Sequence, residues 1–171
     1  MRTALSALVD AYYPVVLQLL TRLCGSSVVA EELAQETFTG LARSWRPLDD
    51  EAENRAYVIR AAYNAWRRFG RALRPEPVEP GVLDRRFADR GLVVDEVCTR
   101  EEVHRIYAAL YRLPENQRAA FVLVVLQGME YKEVASLMGV PRDTVSKWRA
   151  RALHGIRAAL TSPSSQPAEV A

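Results

Sequence analysis

Cysteine and histidine are scarce in this chain of 171 residues, and it contains no long hydrophobic run. Cys24 and Cys98 lie far apart without a CxxC neighbour, and the two histidines, His104 and His154, are isolated as well. A zinc site would need more ligands at closer spacing, so we expect no metal and no cofactor. A transmembrane helix would need a run of about 18 apolar residues, and none is present.

The N-terminus lacks the layout of a secretory signal peptide, in which an uninterrupted apolar core leads to a small-residue cleavage site. Its longest apolar run, Tyr12–Leu20, is broken by Pro14 and Gln18 and is more typical of a helix core. We therefore expect a cytoplasmic protein without membrane contact. No phosphate-binding loop, metal cluster or nucleophile–base pairing occurs in the sequence, so we expect neither an enzyme nor a small-molecule substrate.

The charge is small in total but uneven along the chain. The formal net charge is +2. Residues 60–74 contain five arginines and no acid, residues 76–102 contain eight acids and four arginines, and residues 142–157 contain five basic residues and one acid. Two basic blocks on separate domains would contact a polyanion at two places, although solvated helix faces produce the same charge runs. Charge alone leaves both interpretations open.

Three prolines and a glycine within residues 75–81 mark a boundary, because such a run cannot continue a helix. The charged, weakly periodic stretch 75–95 is therefore interpreted as a flexible linker. Helical periodicity on both sides, without sustained alternation of β-branched residues, predicts an all-α fold of two small helical domains at 1–74 and 96–160. The tail at 161–171 is small, polar and proline-containing, and we expect it to be disordered.

Helix boundaries can be placed from caps and breakers. Gly25 is a natural C-cap for the first helix, and Ser26 or Ser27 can cap the start of the second. The first half is expected to contain three main helices, at about Leu5–Leu23, Val28–Trp45 and Ala52–Leu73. The second half is expected to contain helices at about Asp95–Arg112 and Pro114–Gln127, followed by two short helices separated at Gly139.

Residues 131–150 match a helix-turn-helix template. That motif needs a small residue where its helices cross and a residue tolerant of positive φ in its turn, and Ala135 and Gly139 meet these needs. An ordinary pair of packed helices would explain the amphipathicity, but not this spacing followed by a basic helix. The spacing therefore predicts a DNA-reading motif. Its core positions are filled by apolar residues, namely Val134, Met138, Val140, Val145 and Trp148.

The second helix of such a motif lies in the major groove with its N-terminal residues at the base edges. Arginine and lysine suit guanine edges, whereas serine and threonine contact bases or phosphates. Arg151 and Arg157 lie further along the helix and better suit the DNA backbone. With Val145 and Trp148 pointing inward, the candidate DNA-binding residues are Arg142, Thr144, Ser146, Lys147, Arg149 and Arg151.

Four segments, taken in order, resemble the extracytoplasmic-function (ECF) subfamily of the bacterial sigma-70 family. Residues 31–38, EELAQETF, resemble the acidic–Leu–x–Gln–Glu–x–Phe signature of region 2, and residues 55–71 resemble the melting and recognition helix that follows it. Residues 113–118, LPENQR, resemble the opening of region 4, and residues 128–135, GMEYKEVA, resemble its Gly-x-Ser-Tyr-x-Glu-Ile-Ala segment. The resemblance extends over about residues 5–160.

The resemblance implies an alternative sigma factor that binds core RNA polymerase and directs promoter recognition, DNA melting and transcription initiation. Region 2 of the family docks on the clamp helices of the largest polymerase subunit, and region 4 reads the −35 element and contacts the flap of the second-largest subunit. An anti-sigma factor is a further candidate partner, as in many relatives. The residues that match the polymerase-binding helix are Glu32, Gln35, Glu36 and Phe38, of which Phe38 has a purely structural core position as its alternative.

The resemblance further implies that the third helix and its preceding loop capture an unstacked base of the −10 element, with Asn64 matching the family asparagine. Such a base needs a stacking surface and hydrogen bonds to its edge. For each aromatic residue of this helix, a place in the core is the competing interpretation. The candidate −10 residues are Arg60, Asn64, Trp66, Arg67, Arg68 and Arg71.

Departures from the family pattern affect promoter choice rather than the class of activity. Arg68 stands where the family usually has an acidic residue, and Lys147 and Trp148 replace a common Ser–Arg pair, so no promoter consensus is predicted. Two alternatives remain. A conventional helix-turn-helix regulator binding an operator would explain residues 131–150 but not residues 31–38. A helical adaptor that binds only a protein partner would not explain the basic recognition helix.

Overall fold

The computed structural model describes residues 2–46, 48–72 and 100–161, and within these ranges the chain is helical, without a strand. The all-α prediction is confirmed. The expected linker at 75–95 lies outside the described residues, and so does the expected disordered tail apart from Thr161, which is the last residue of a helix. The helices are α1 (Arg2–Cys24), α2 (Ser27–Ser44), α3 (Glu51–Ala72), α4 (Arg100–Arg112), α5 (Glu115–Phe121), α6 (Tyr131–Met138) and α7 (Arg142–Thr161).

Local signals fix the turns that the sequence predicts. Gly25 has a φ of 74°, which places it in the left-handed region favoured by glycine at a helix C-terminus. Ser26 is the N-cap of α2, and its Oγ accepts a hydrogen bond from the backbone N–H of Val29 at 3.4 Å. Gly139 has a φ of 70° and ends α6. These caps make the α1–α2 and α6–α7 connections short.

Helices α1, α2 and α3 pack together as the first unit. The spacing of Val16, Leu19, Leu20 and Leu23 places them on the inward face of α1, and all four are fully buried. Pro14 lies inside α1 without ending it. Because the unit is built from three amphipathic helices, each helix keeps an outer face for partners.

The second unit consists of α4, α5, α6 and α7, and α7 contacts the other three helices. Between α5 and α6 the structure differs from the predicted continuous helix at Pro114–Gln127. The chain widens into a π-helical turn at Val122–Leu126, in which the N–H of Gln127 donates to the carbonyl of Val122 at 2.9 Å. A π-turn accommodates an extra residue in a helix, and here Val122 and Leu123 are both fully buried.

The two units touch each other directly. The hydroxyl of Tyr111, on α4, donates a hydrogen bond to the carbonyl of Thr21 near the end of α1 at 3.0 Å. The Tyr111 ring also lies against Gly25, where an added Cβ would come within 3.2 Å of it. Gly25 therefore serves both the turn and this close approach. Within the described ranges, none of the helices combines the length and apolarity needed to cross a bilayer.

Candidate nucleic-acid and polymerase interfaces

The outer face of α3 carries a polar and basic stripe, which we call the α3 stripe. It consists of Tyr57, Arg60, Asn64, Arg68 and Arg71, all of which are exposed. Their spacing of three or four residues places them along one side of the helix. The stripe contains three arginines and no acid, so it presents positive charge together with an amide and an aromatic ring.

The opposite face of α3 is core, and this corrects one sequence-based assignment. Trp66, predicted as a −10 contact, is only 5% exposed and packs beside Tyr63 with ring centroids 5.5 Å apart. Burial also raises the pKa of the Tyr63 hydroxyl, while the nearby guanidinium of Arg67 opposes the rise. Arg67 itself is partly buried over the Tyr63 ring, at 5.9 Å from the centroid. The aromatic residue that α3 leaves accessible is Tyr57, at 37% exposure.

The outer face of α2 brings three of the four predicted polymerase-binding residues together. Glu32, Gln35 and Glu36 are exposed and share one side of the helix. Phe38 is only 7% exposed, and its ring lies 5.8 Å from that of Tyr13, so it belongs to the core that supports this face. The structure therefore favours the core alternative for Phe38.

An ion pair joins the α2 face to the α3 stripe. Arg68 Nη2 donates to Glu36 Oε1 at 2.9 Å, with both side chains more than half exposed. Arg68 stands where the family usually has an acid, and here its partner is an acid on the neighbouring helix. Exposed pairs of this kind contribute only about 0–1 kcal/mol to stability. The contact therefore orients the two side chains but leaves each of them able to exchange this partner for another.

Helices α6 and α7 have the predicted helix-turn-helix geometry. Val134, Ala135, Met138 and Val145 are buried, while Val140 and Trp148 are partly buried against the same core. Each of the six predicted −35 residues lies on α7. Four of them are exposed and two, Thr144 and Arg149, are partly buried. The four exposed ones are Arg142, Ser146, Lys147 and Arg151.

The aromatic ring of Tyr131 holds the first of these side chains at the start of α7. The guanidinium of Arg142 lies over the ring at 5.8 Å from its centroid, a cation–π contact that links α6 to the N-terminus of α7. Asp143 in the first turn suits the positive end of that helix. The N-terminal end of α7 is thus organised by local contacts.

Sequence reasoning missed a set of contacts between the two units. Arg60 of the α3 stripe donates to Glu133 Oε1 on α6 at 3.2 Å. Arg55, also on α3, donates to the carbonyl and to the side-chain oxygen of Gln127, at 3.0 and 3.1 Å. These partners are more than 70 positions apart in sequence, and no local pattern signals such a pairing.

Two family models match the chain, one over each unit. The model of sigma-70 region 2 matches residues 8–75, and the model of sigma-70 region 4 matches residues 104–154. The first match includes α2 and α3 with their outer faces, and the second includes the helix-turn-helix. The chain belongs to the sigma-70 family. Its relatives place it in the ECF subfamily.

Curated relatives match along most of the chain. The ECF RNA polymerase sigma-E factor of Haemophilus influenzae is 29% identical over 161 residues, covering 88% of this chain and 85% of the relative. The ECF RNA polymerase sigma factor SigX of Bacillus subtilis is 24% identical, covering 92% and 84%. The ECF RNA polymerase sigma factor SigE of Mycolicibacterium smegmatis is 31% identical, covering 91% of this chain and 61% of the relative.

Two solved structures share the fold. The sigma factor RpoE of Bartonella quintana, solved with the anti-sigma factor NepR, superposes with a TM-score of 0.60 at 18% identity and covers 91% of this chain and 96% of its own. CnrH, solved with the cytosolic domain of CnrY, gives a TM-score of 0.61 at 23% identity and covers 96% and 92%. The chain is thus an alternative sigma factor of the ECF type, which acts with core RNA polymerase on promoter DNA in transcription initiation.

Proposed function

We propose that this ECF sigma factor contacts promoter DNA through two faces, the α3 stripe at the −10 element and the exposed face of α7 at the −35 element. The outer face of α2 is proposed to bind core polymerase. The domains that carry these contacts are residues 1–74 and 96–160, with residues 75–95 as the linker. The observation that carries the proposal is the α3 stripe, where Asn64 stands exposed among arginines on the helix that sigma region 2 uses for promoter recognition.

At the −10 element, the chemistry of the stripe divides into three roles. The amide of Asn64 can donate to and accept from the edge of an unstacked base, and Tyr57 offers an exposed ring on which a base can stack. Arg60, Arg68 and Arg71 supply charge to the phosphates on either side. Trp66 supports the stripe from the core, and Arg67 contributes from its edge, where it already rests on Tyr63.

At the −35 element, α7 is proposed to enter the major groove with its N-terminal end foremost. Arg142, Ser146 and Lys147 then face the base edges, and Arg151 one turn further meets the backbone. Thr144 and Arg149 are partly buried, so their contacts are proposed to be with phosphates at the rim of the groove.

Polymerase binding is proposed to use the two carboxylates and the amide of Glu32, Gln35 and Glu36, on the clamp helices of the largest subunit. Phe38 holds this face on the core instead of contacting the partner. The flap of the second-largest subunit is the proposed partner of the second unit. We assign no catalytic residue to this chain, since the chemistry of transcription belongs to the polymerase, and place its action in the cytoplasm.

An anti-sigma factor is a further proposed partner. The two solved structures that share the fold were obtained as complexes, one with an anti-sigma factor and one with a cytosolic domain of a second protein. Capture of such a partner on the outer faces of α2 and α3 would block polymerase and the −10 element together. Co-purification from the native host, followed by competition with core polymerase, tests this arrangement.

Two binding measurements test these assignments. The first is binding of the chain to core polymerase, and the second is binding of the resulting holoenzyme to promoter DNA. Glu32→Lys is expected to weaken core-polymerase binding by about tenfold or more, because it reverses a charge on the docking face. Lys147→Ala should leave core binding intact and weaken promoter binding. If Glu32→Lys left core binding unchanged, or if both variants lost the same activity, the assignment of these faces would be wrong.

A further inference from the structure

One side chain in the first turn of α3, that of Asn54, fastens the loop that precedes this helix. Its Nδ2 donates to the carbonyl of Leu48 at 2.8 Å, and its Oδ1 accepts from the N–H of the same residue at 3.2 Å. Nδ2 also donates to the carbonyl of Asp50 at 3.1 Å. We call these three contacts the Asn54 staple, because they tie both backbone groups of Leu48 to the helix.

Further contacts hold the start of α3 itself. Asp50 Oδ1 accepts from the N–H of Ala52 at 2.8 Å, a capping contact, and the carbonyl of Asp50 accepts from the N–H of Asn54 at 3.0 Å. From α1, the hydroxyl of Tyr12 donates to the carbonyl of Glu51 at 3.3 Å. These contacts fix the helix end, and the staple carries that order outward to Leu48.

The side chain that the staple positions lies at the surface. Four large hydrophobic side chains stand exposed in the described ranges, and two of them, Leu48 at 40% and Tyr57 at 37%, line the same cleft of about 460 Å³. Ala52 and Ala56, one turn apart on α3, line it as well and leave room beside the two larger side chains. The second unit lines the other side of the cleft.

These side chains suit an unpaired nucleobase, which presents two flat faces. The ring of Tyr57 offers a stacking surface for one face, and the aliphatic side chain of Leu48 offers an apolar contact for the other. Since Leu48 stands on a loop, its contribution depends on the conformation of that loop. A wall that is already ordered binds a base without the entropic cost of fixing the loop.

We propose that Asn54 is a positioning residue for promoter opening, which holds Leu48 in place so that an unstacked base of the −10 element meets a preformed recess between Leu48 and Tyr57. The proposal rests on the proposed −10 role of α3, whereas the staple itself does not. Both N–H donors of the Asn54 amide are already used within the chain. Asn54 therefore acts through Leu48 and not by contact with DNA.

Amide hydrogen exchange of the full-length chain tests the staple itself. The N–H of Leu48 bonds to the Asn54 side chain, so it should exchange about fivefold faster or more in Asn54→Ala than in the parent. The matched control is Ser44→Ala, which removes a side-chain-to-backbone bond at the end of α2, from Ser44 Oγ to the carbonyl of Gly40. Equal exchange of the Leu48 N–H in Asn54→Ala and the parent would overturn the proposal.

A double-mutant cycle on open-complex formation tests whether Asn54 acts through Leu48. Asn54→Ala and Leu48→Ala should each lower opening by about three- to tenfold, with core-polymerase binding and helix content unchanged. The double variant should open no worse than the weaker single variant, because the staple then has nothing to position. Leu48 is exposed, so its replacement tests the recess without disturbing the core. Losses that multiply in the double variant would show that the two residues act separately.

Binding of the holoenzyme to single-stranded −10 DNA tests whether the recess holds a base. The probe is the non-template strand of a promoter found by run-off transcription, with an abasic site replacing one base at a time. At one position the missing base should lower the affinity of the parent about tenfold, and Asn54→Ala should be nearly insensitive at that position alone. Identical abasic profiles in the parent and Asn54→Ala would contradict the proposal.

Failure of the proposed −10 role is distinguishable from failure of the staple. If α3 does not read the −10 element, an Asn64→Ala holoenzyme opens promoters without loss, and the basis of the proposal is removed. If Asn64→Ala impairs opening while Asn54→Ala opens promoters as the parent does, the −10 role stands and the positioning role of Asn54 is wrong.

Discussion

At the scale of single residues, Asn64 has the most specific proposed role. It is exposed in the middle of the α3 stripe, and its amide can both donate to and accept from a base edge. The arginines around it supply attraction to any phosphate, which carries no sequence information by itself. Promoter opening should therefore depend on Asn64 more steeply than affinity for polymerase does.

Asn64→Ala is expected to lower open-complex formation by about tenfold, the effect of one or two lost base-edge hydrogen bonds, with core-polymerase binding unchanged. Permanganate footprinting of the holoenzyme on a promoter measures the first quantity, and fluorescence anisotropy with core polymerase measures the second. Asn116→Ala, at an exposed asparagine on α5, is the control and should alter neither. Equal losses in both assays would indicate a folding defect instead of a lost base contact.

A second residue-scale prediction concerns a buried cysteine thiol and two buried tyrosine hydroxyls whose pKa values are raised. Burial raises the pKa of the Cys24 thiol from 9.0 to about 12, and it also raises the pKa values of the Tyr63 and Tyr111 hydroxyls. The unfolded chain therefore releases these protons at a lower pH than the folded chain does. Above about pH 9 the unfolded state binds fewer protons, so the free energy of unfolding falls as pH rises.

Urea unfolding at pH 8 and at about pH 10.5 measures this loss. The share from Cys24 should be roughly 2 kcal/mol, given about 1.4 kcal/mol for each unit by which the higher pH exceeds the unfolded pKa. Cys24→Ala should lose correspondingly less stability between the two pH values. A stability that rises over this range would contradict the burial of these groups.

At the scale of helices, the turn of the helix-turn-helix depends on a backbone conformation that only glycine adopts freely. Gly139 has a φ of 70° and no side chain within 4 Å of an added Cβ, so strain alone opposes substitution. Gly139→Ala is expected to destabilise the chain by about 1–2 kcal/mol. Gly40→Ala, inside the C-terminal part of α2 with equally open surroundings, should stabilise it by about 0.5–1 kcal/mol.

Thermal unfolding of the two variants beside the parent provides the measurement. For a domain pair of this size each kcal/mol corresponds to about 2–4 °C in Tm, so the two variants should separate in opposite directions. Gly139→Ala should in addition weaken binding to −35 DNA, because the turn sets the angle at which α7 leaves α6. Equal shifts of the same sign would mean that the φ of Gly139 carries no strain.

Helices and their local signals could be predicted from the sequence, because caps and breakers act within a few residues. Gly25, Ser26 and Gly139 all stand where the sequence placed them. The apolar spacing of α3 was ambiguous, since aromatic residues occupy several of its faces, and so Trp66 was assigned to DNA although it lies in the core. The π-helical turn was also missed, because Val122–Leu126 continues the apolar pattern of the helix before it.

At the scale of the whole molecule, the two units and their helix-turn-helix followed from the sequence, but their contacts with each other did not. Arg60 and Glu133 are 73 positions apart, and each has an adequate local explanation, as a basic stripe residue and as a helix cap. Periodicity describes which face of a helix is buried and does not describe which distant face meets it. The same limit hid the packing of Tyr111 against Gly25.

The contact between the two units should depend on ionic strength in the free chain. The Arg60–Glu133 pair has side chains that are 46% and 36% exposed, so salt screens it. Raising the salt concentration should therefore increase the mean distance between the two units in the free chain, as measured by small-angle scattering, and the Glu133→Gln variant should respond less. A distance that is insensitive to salt in the parent would mean that the Tyr111–Thr21 contact, and not the Arg60–Glu133 pair, holds the two units together.

Run-off transcription with purified core polymerase tests the central claim most directly. The template is a library of upstream regions from the host, transcribed with and without this protein. The account predicts new transcripts that depend on the protein and share two spaced promoter elements, and these transcripts should be lost with Glu32→Lys. A protein that stimulates or represses only polymerase already carrying another sigma factor would contradict the account and favour an operator-binding regulator.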